Sequence, residues 1–216
     1  MKTQKNLFIF TAVALIGLFF AGSYFYKNAE LKETMETAET NQQKLIRDYS
    51  PTKGDPSAKV TLVEFLDPEC GTCAAYHPKV KGLLKKHDGL IHYVVRYAPF
   101  HQNAQFIIKI LHAAKEQGKY WETLDLLFEK QPEWGGHGNP QPEKVWTFLP
   151  SLGLDIDKIK ADMESPGFKA LILQDIDDGM VFGVKKTPTF FVNGKPLESF
   201  GLQQLEAAID AALAQN

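Results

Sequence analysis

Val60-Thr61-Leu62-Val63-Glu64-Phe65-Leu66 runs through Asp67-Pro68-Glu69 into Cys70-Gly71-Thr72-Cys73. The first seven residues are almost all aliphatic, aromatic or β-branched. Such a run suits a strand buried on both faces of a sheet. The C-x-x-C that follows opens a helix expected to reach about His87. At a helix N-terminus backbone N–H groups are unpaired and the dipole is positive. A thiolate there is stabilised, so Cys70 is expected to have a lowered pKa and to act as nucleophile. Cys73, one turn in, is placed to attack a mixed disulfide at Cys70 and release the partner. Glu64 sits inside the apolar strand. Its carboxylate is expected to be at least partly buried, with a raised pKa, and to relay protons to Cys73 through water. A plainer reading makes Glu64 a strand-edge residue that reaches solvent. A rival reading of the cysteines makes Cys70, Cys73 and His77 a three-ligand set for zinc, since Cys73 and His77 share a helical face. No second C-x-x-C or H-x-x-x-H supports it, and the remaining histidines are scattered.

Further strands are expected at Ile91–Tyr97 and Thr189–Val192. Asn193-Gly194 is a type I′ hairpin signal. The return strand is expected over Lys195–Phe200, with Pro196 suiting an edge. Leu202, Leu205, Ile209 and Leu213 mark an amphipathic C-terminal helix. Between Ala98 and Lys186 the signals are mostly helical, with breaks near residues 132–142, 150–153 and 166–167. Thr187-Pro188-Thr189 opens the third strand. Pro188 there suits a cis bond in a tight turn, with the Thr187 backbone offered to an extended peptide.

The N-terminus reads differently. Lys2 and Lys5 precede an apolar run from Leu7 to Tyr26, followed by Lys27. Residues 1–26 are expected to be a membrane anchor or a signal peptide, with Ala21-Gly22-Ser23 as a tolerable cleavage site. Residues 27–49 are expected to form a polar helical stalk. Leu31, Met35, Ala38, Leu45 and Tyr49 follow a three-four spacing, which fits a solvated helix or a dimerising coiled coil through residues 29–49. Breakers from Ser50-Pro51 to Asp55-Pro56 place the start of the globular domain, residues 50–216. With 44% hydrophobic and 23% charged residues in 216, the chain has a globular composition. Its net charge of −2 argues against a whole-chain grip on nucleic acid. Two cysteines three apart cannot staple a scaffold.

The stretch Val63 to Cys73 and the stretch Gly183-Val184-Lys185-Lys186-Thr187-Pro188-Thr189-Phe190-Phe191-Val192-Asn193-Gly194 resemble the thioredoxin superfamily. More narrowly they resemble its DsbA-like branch, as does Ala98-Pro99-Phe100-His101-Gln102-Asn103-Ala104. The resemblance implies an α/β thioredoxin fold with a helical subdomain inserted at about residues 98–186, here preceded by the membrane segment and stalk. By position, Cys70 matches the attacking cysteine, Cys73 the resolving one and Glu64 the buried acid. Pro188 matches the cis-proline and Thr187 the residue that contacts substrate. Asp67, Glu69 and His101 receive no role, His101 reading as a structural residue of the next helix. Gly71-Thr72 departs from the Pro-His of the strongly oxidising members and removes one stabiliser of the Cys70 thiolate. The implied function is an exported thiol:disulfide oxidoreductase that passes a Cys70–Cys73 disulfide, as an oxidant, to reduced or misoxidised protein substrates. A DsbB-like membrane oxidase is the expected redox partner. The expected location is periplasmic, anchored to the inner membrane by the N-terminal helix. No cofactor, resident metal or nucleic acid is expected. The alternatives are a reductase or isomerase of the same fold, or a non-enzymatic metal-binding or client-holding module.

Overall fold

The structure, a computed structural model, describes residues 2–136 and 138–215, apart from the side chains of residues 2–14, 38 and 39. Helix α1 (Lys2–Thr40) leads through a 3₁₀ turn at Gln42–Lys44 to the short strand β1 (Thr52–Lys53). Strand β2 (Val60–Leu66), helix α2 (Gly71–Lys86) and strand β3 (Ile91–Tyr97) form a βαβ unit, parallel in register from Val60↔Ile91 to Leu66↔Tyr97. A helical block follows: α3 (Ala104–Glu116), α4 (Tyr120–Glu129), α5 (Gln131–Trp134), α6 (Val145–Phe148), α7 (Ile156–Met163) and α8 (Pro166–Val181). Strands β4 (Thr189–Val192) and β5 (Lys195–Pro196) and helix α9 (Leu202–Ala214) close the chain.

The sheet order is β1-β3-β2-β4-β5, with every pair but β2–β3 antiparallel. β2 therefore lies at the centre, and its sequence explains why. Leu62 and Leu66 join Tyr93, Val95 and Tyr97 in a core closed by Val80, Ile107, Leu111, Leu205 and Ile209. Val63 and Phe65 join Val94, Phe182, Val184 and Phe191 in a second core on the alternate side-chain face. The turn between β4 and β5 has positive φ at both Asn193 (46°) and Gly194 (79°), as a type I′ turn requires. Asn193 also ties the hairpin to β2: its side chain accepts from the Thr61 N–H at 2.7 Å, and its own N–H donates to Thr61 O at 2.9 Å. β5 stops at Pro196, short of the expected Phe200, with one further bond to β4 from Leu197 N to Phe190 O at 3.3 Å.

The N-terminal 49 residues depart from expectation. α1 ends at Thr40 rather than continuing to Tyr49. The next residues are drawn onto the domain by a buried cation. Arg96 is fully buried on β3 and donates to Asp175 (2.8 Å) and Asp178 (2.6 Å) of α8 and to the Leu45 carbonyl (3.1 Å). Arg47 makes two bonds to Asp178, and Tyr49 donates to Asp175 at 2.7 Å. Leu45 is buried in the second core. The apolar stripe of α1 also meets its own chain: Met35 lies beside Val192 and Pro196, and Glu30 pairs with Lys185 at 2.5 Å. Of the membrane segment expected over residues 1–26, the side chains of residues 1–14 lie outside the described residues. Among the described residues no helix is long and apolar enough to cross a membrane.

Candidate active site

The loop from β2 into α2 places Cys70 as the residue capping α2, in extended backbone (φ −73°, ψ 118°). Its N–H donates to the Asp67 carbonyl at 3.0 Å, and its carbonyl accepts from Ala74 at 3.1 Å, the first bond of the helix. Cys73 is wholly buried one turn later, and both cysteines are free thiols. The β4 end comes to meet them. The Thr187–Pro188 peptide is cis, and the Cys70 thiol donates to the Thr187 carbonyl at 3.4 Å.

The two thiols are pushed in opposite directions. The Cys73 thiol, as donor, draws the Cys70 pKa down to about 5 against the opposing effect of burial. The Thr187 side chain and the backbone N–H groups of Cys73 and Thr72 add to this. Burial pushes Cys73 well above the ordinary thiol value. Its donation to Cys70 and the nearby Glu64 charge add to that rise. Glu64 is buried, not at an edge, and burial raises it to about 7. The Tyr93 hydroxyl donates to Glu64 Oε2 and offsets part of that rise, while Cys70 adds to it. The two thiols thus differ sharply in acidity, and the carboxyl group beside them changes protonation near neutral pH.

Residues left without a role by sequence reasoning build the frame. Asp67 is fully buried and accepts from the N–H groups of Glu69, Phe100 and His101 and from His101 Nδ1, at 2.7–2.9 Å. Glu69 accepts from Asn103 N and Nδ2 at 2.8 and 3.0 Å. These carboxylates lock the loop before Cys70 to the segment opening α3. From the helical block, Gln131 donates to the carbonyls of Pro68 (2.9 Å) and Cys70 (3.2 Å). Two acids flanking Pro68 beside a C-x-x-C were the available signal, because buried carboxylates need donors. Burial opposes charge on His101, but Asp67 outweighs it and raises the histidine above its ordinary value, with Cys70 contributing.

The rival ligand set is not assembled. His77 Nε2 pairs with Asp125 at 2.6 Å on the face turned to α4, and burial holds the ring below the usual histidine range. Among the described residues no group of three His, Cys, Asp or Glu is placed to hold a metal ion. Beside the cis-proline lies a cavity of about 130 Å³ between Lys186, Phe190, Leu197 and Phe200.

Comparison with known proteins agrees with this geometry. Residues 47–211 match the family model described as Thioredoxin, and the chain belongs to the thioredoxin family. A thioredoxin-like oxidoreductase from Silicibacter pomeroyi DSS-3 is 27% identical and superposes with a TM-score of 0.69, over 82% of this chain and 99% of its own. The thiol-disulfide exchange protein alpha-DsbA2 from Wolbachia pipientis shares the fold at 21% identity, with a TM-score of 0.70 over 85% of this chain and 97% of its own. The DsbA-like arrangement, a thioredoxin fold with a helical block between its halves, is therefore the fold of this chain. A sodium/proton antiporter, NhaA 3 from Salinispora tropica, is 33% identical over 171 residues, which is 77% of this chain and 25% of the antiporter. The chain spans about a quarter of the length of the curated relatives it matches.

Proposed function

We propose that this thioredoxin-family chain is an exported thiol:disulfide oxidoreductase that donates the Cys70–Cys73 disulfide to protein thiols. The observation that carries the reading is the free cysteine pair at the start of α2, with Cys70 capping the helix against the cis Thr187–Pro188 peptide and Cys73 buried one turn later. In the donating direction a client thiolate attacks Cys70 Sγ. The S–S bond breaks and Cys73 leaves as a thiolate, which takes a proton from the Glu64 carboxylic acid. A second client thiol gives its proton to the Glu64 carboxylate through water, attacks the client sulfur of the mixed disulfide and releases Cys70 as a thiolate. The client gains a disulfide, and the enzyme keeps both electrons as one thiolate and one thiol.

Stabilising the Cys70 thiolate favours the reduced enzyme, which makes the disulfide oxidising. Gly71-Thr72 adds no cation, so the potential is expected between roughly −120 and −270 mV. The Thr187 carbonyl and the cavity beside Pro188, walled by Phe190, Leu197 and Phe200 with Lys186 and Glu198 at its border, suit an extended client segment laid against the end of β4. The Leu7–Tyr26 run supports export, and a membrane oxidase is the partner that restores the disulfide. Ion exchange is not part of the reading, since only a quarter of the antiporter is shared.

The test is oxidative refolding of a reduced, cysteine-rich protein by stoichiometric oxidised chain, with and without chelator. Client disulfides should form as Cys70 and Cys73 are reduced and become reactive toward an alkylating reagent, with no chelator effect. Refolding no faster than in buffer, or a dependence on added metal, overturns the proposal. Reduction of an oxidised client by the dithiol form alone points to the reductase.

A further inference from the structure

We propose that Tyr93 is a positioning residue for the proton step at Cys73: its hydroxyl, donated to Glu64 Oε2, fixes the buried carboxyl group and stabilises its ionised form. This rests on the exchange reaction proposed above. The geometry begins with the register. Leu62 pairs with Tyr93 and Glu64 with Val95, so Tyr93 and Glu64 are diagonal neighbours on one face of the sheet. Tyr93 is 2% exposed and its ring packs on Trp121 of α4, with centroids 5.6 Å apart, so the phenol has one direction in which to point. Among the described residues the Tyr93 hydroxyl supplies the hydrogen bond to the Glu64 carboxyl group.

The chemistry follows from that single donor. When Cys73 leaves, its sulfur takes the Glu64 proton through water and a carboxylate is created in the protein interior. A buried carboxylate without a donor is costly, and the proton would stay on Glu64. A phenol supplies the hydrogen bond without adding a charge, and burial followed by the Glu64 charge holds Tyr93 far above its ordinary pKa, so it always donates. The other titratable groups facing Glu64 are Cys70 and Cys73 from α2 and Tyr120 from α4, while β4 presents Phe190. On its outer side Tyr93 borders a small cleft with Lys53, His77, Lys81 and Asp125.

The experiment measures reduction of the Cys70–Cys73 disulfide by a small dithiol against pH in the full chain, by acid quench and alkylation. It compares wild type, Tyr93→Phe, Glu64→Gln and the double variant. The Glu64-dependent midpoint should move up by about one pH unit in Tyr93→Phe, the worth of one hydrogen bond to a charged group. The alkylation midpoint of Cys70 should stay in place, and Tyr93→Phe should change nothing further in the Glu64→Gln background. An unmoved midpoint, or an equal effect in both backgrounds, overturns the proposal. If wild type shows no exchange, the functional reading fails separately. The infrared band of the protonated Glu64 carboxyl, assigned with Glu64→Gln, then still reports whether Tyr93→Phe shifts its titration. Should Tyr93→Phe not fold, 3-fluorotyrosine at position 93, a stronger donor, should lower the same midpoint, and no change overturns the proposal.

Discussion

Glu64 and Arg96 are both buried on adjacent central strands, at 2% and 0% exposure, with their side chains on alternate faces. Arg96 meets two carboxylates and backbone carbonyls, whereas Glu64 meets one phenol. Burial works against the charge on Arg96, but Asp175 and then Asp178 outweigh it and its pKa rises. For Glu64 burial wins and the carboxyl reaches about 7. The difference teaches that burial alone does not set a charged group's task. A group saturated with partners becomes a clamp, and a group left with one donor keeps a mobile proton.

Four experiments test that division, in falling order of effect. Cys70→Ser should reduce exchange by roughly 1000-fold or more, since the attacked sulfur is gone, while urea unfolding of the reduced form stays within about 1 kcal/mol of wild type. Residual exchange through Cys73 alone would place the nucleophile wrongly. Arg96→Met should cost about 3–5 kcal/mol in urea unfolding, because two carboxylates and the 45–49 segment lose their partner. The Cys70 alkylation midpoint should not move in that variant. A shift there would show that the two faces are coupled.

Glu64→Gln should alter the pH dependence of stability. The folded-state pKa lies above the ordinary 4.5, so the folded protein holds a proton that the unfolded chain has released. Wild type therefore loses stability as pH rises from about 4.5 through about 7, by roughly 3 kcal/mol in all. Glu64→Gln removes that loss, so the variant should gain on wild type between mildly acidic and mildly basic pH in guanidinium unfolding. Parallel curves would mean that Glu64 is not the group concerned. The smallest effect belongs to His101→Gln, which should raise the Cys70 alkylation midpoint by less than about half a unit, the scale of a half-exposed charge. A larger rise would make His101 a principal stabiliser of the thiolate.

Much of the candidate site was legible in the sequence because its signals are local. The seven-residue buried run, the C-x-x-C and the Asn193-Gly194 turn each act over a few positions. Tyr93 was hidden for the opposite reason: an aromatic in a buried strand reads as packing, and only the register shows that it reaches Glu64. The clamp around Arg96 was illegible as a unit, since Leu45, Asp175 and Asp178 join it from separations of 51, 79 and 82 residues. An arginine within a buried run did signal that partners must exist. The stripe Leu31–Met35 had the spacing of a coiled coil, but spacing cannot say whose surface it meets, and here α1 lies over β5 of its own chain.

That last placement bears on the company such an enzyme keeps. β1, at one border of the sheet, is two residues long, and β5, at the other, ends in Pro196 beneath α1. Unfolded, cysteine-rich clients are the molecules most prone to recruit a bare strand into a growing aggregate. Under the proposed exchange reaction, a two-residue β1 and a β5 that ends in Pro196 beneath α1 leave little strand edge on which such a client could pair.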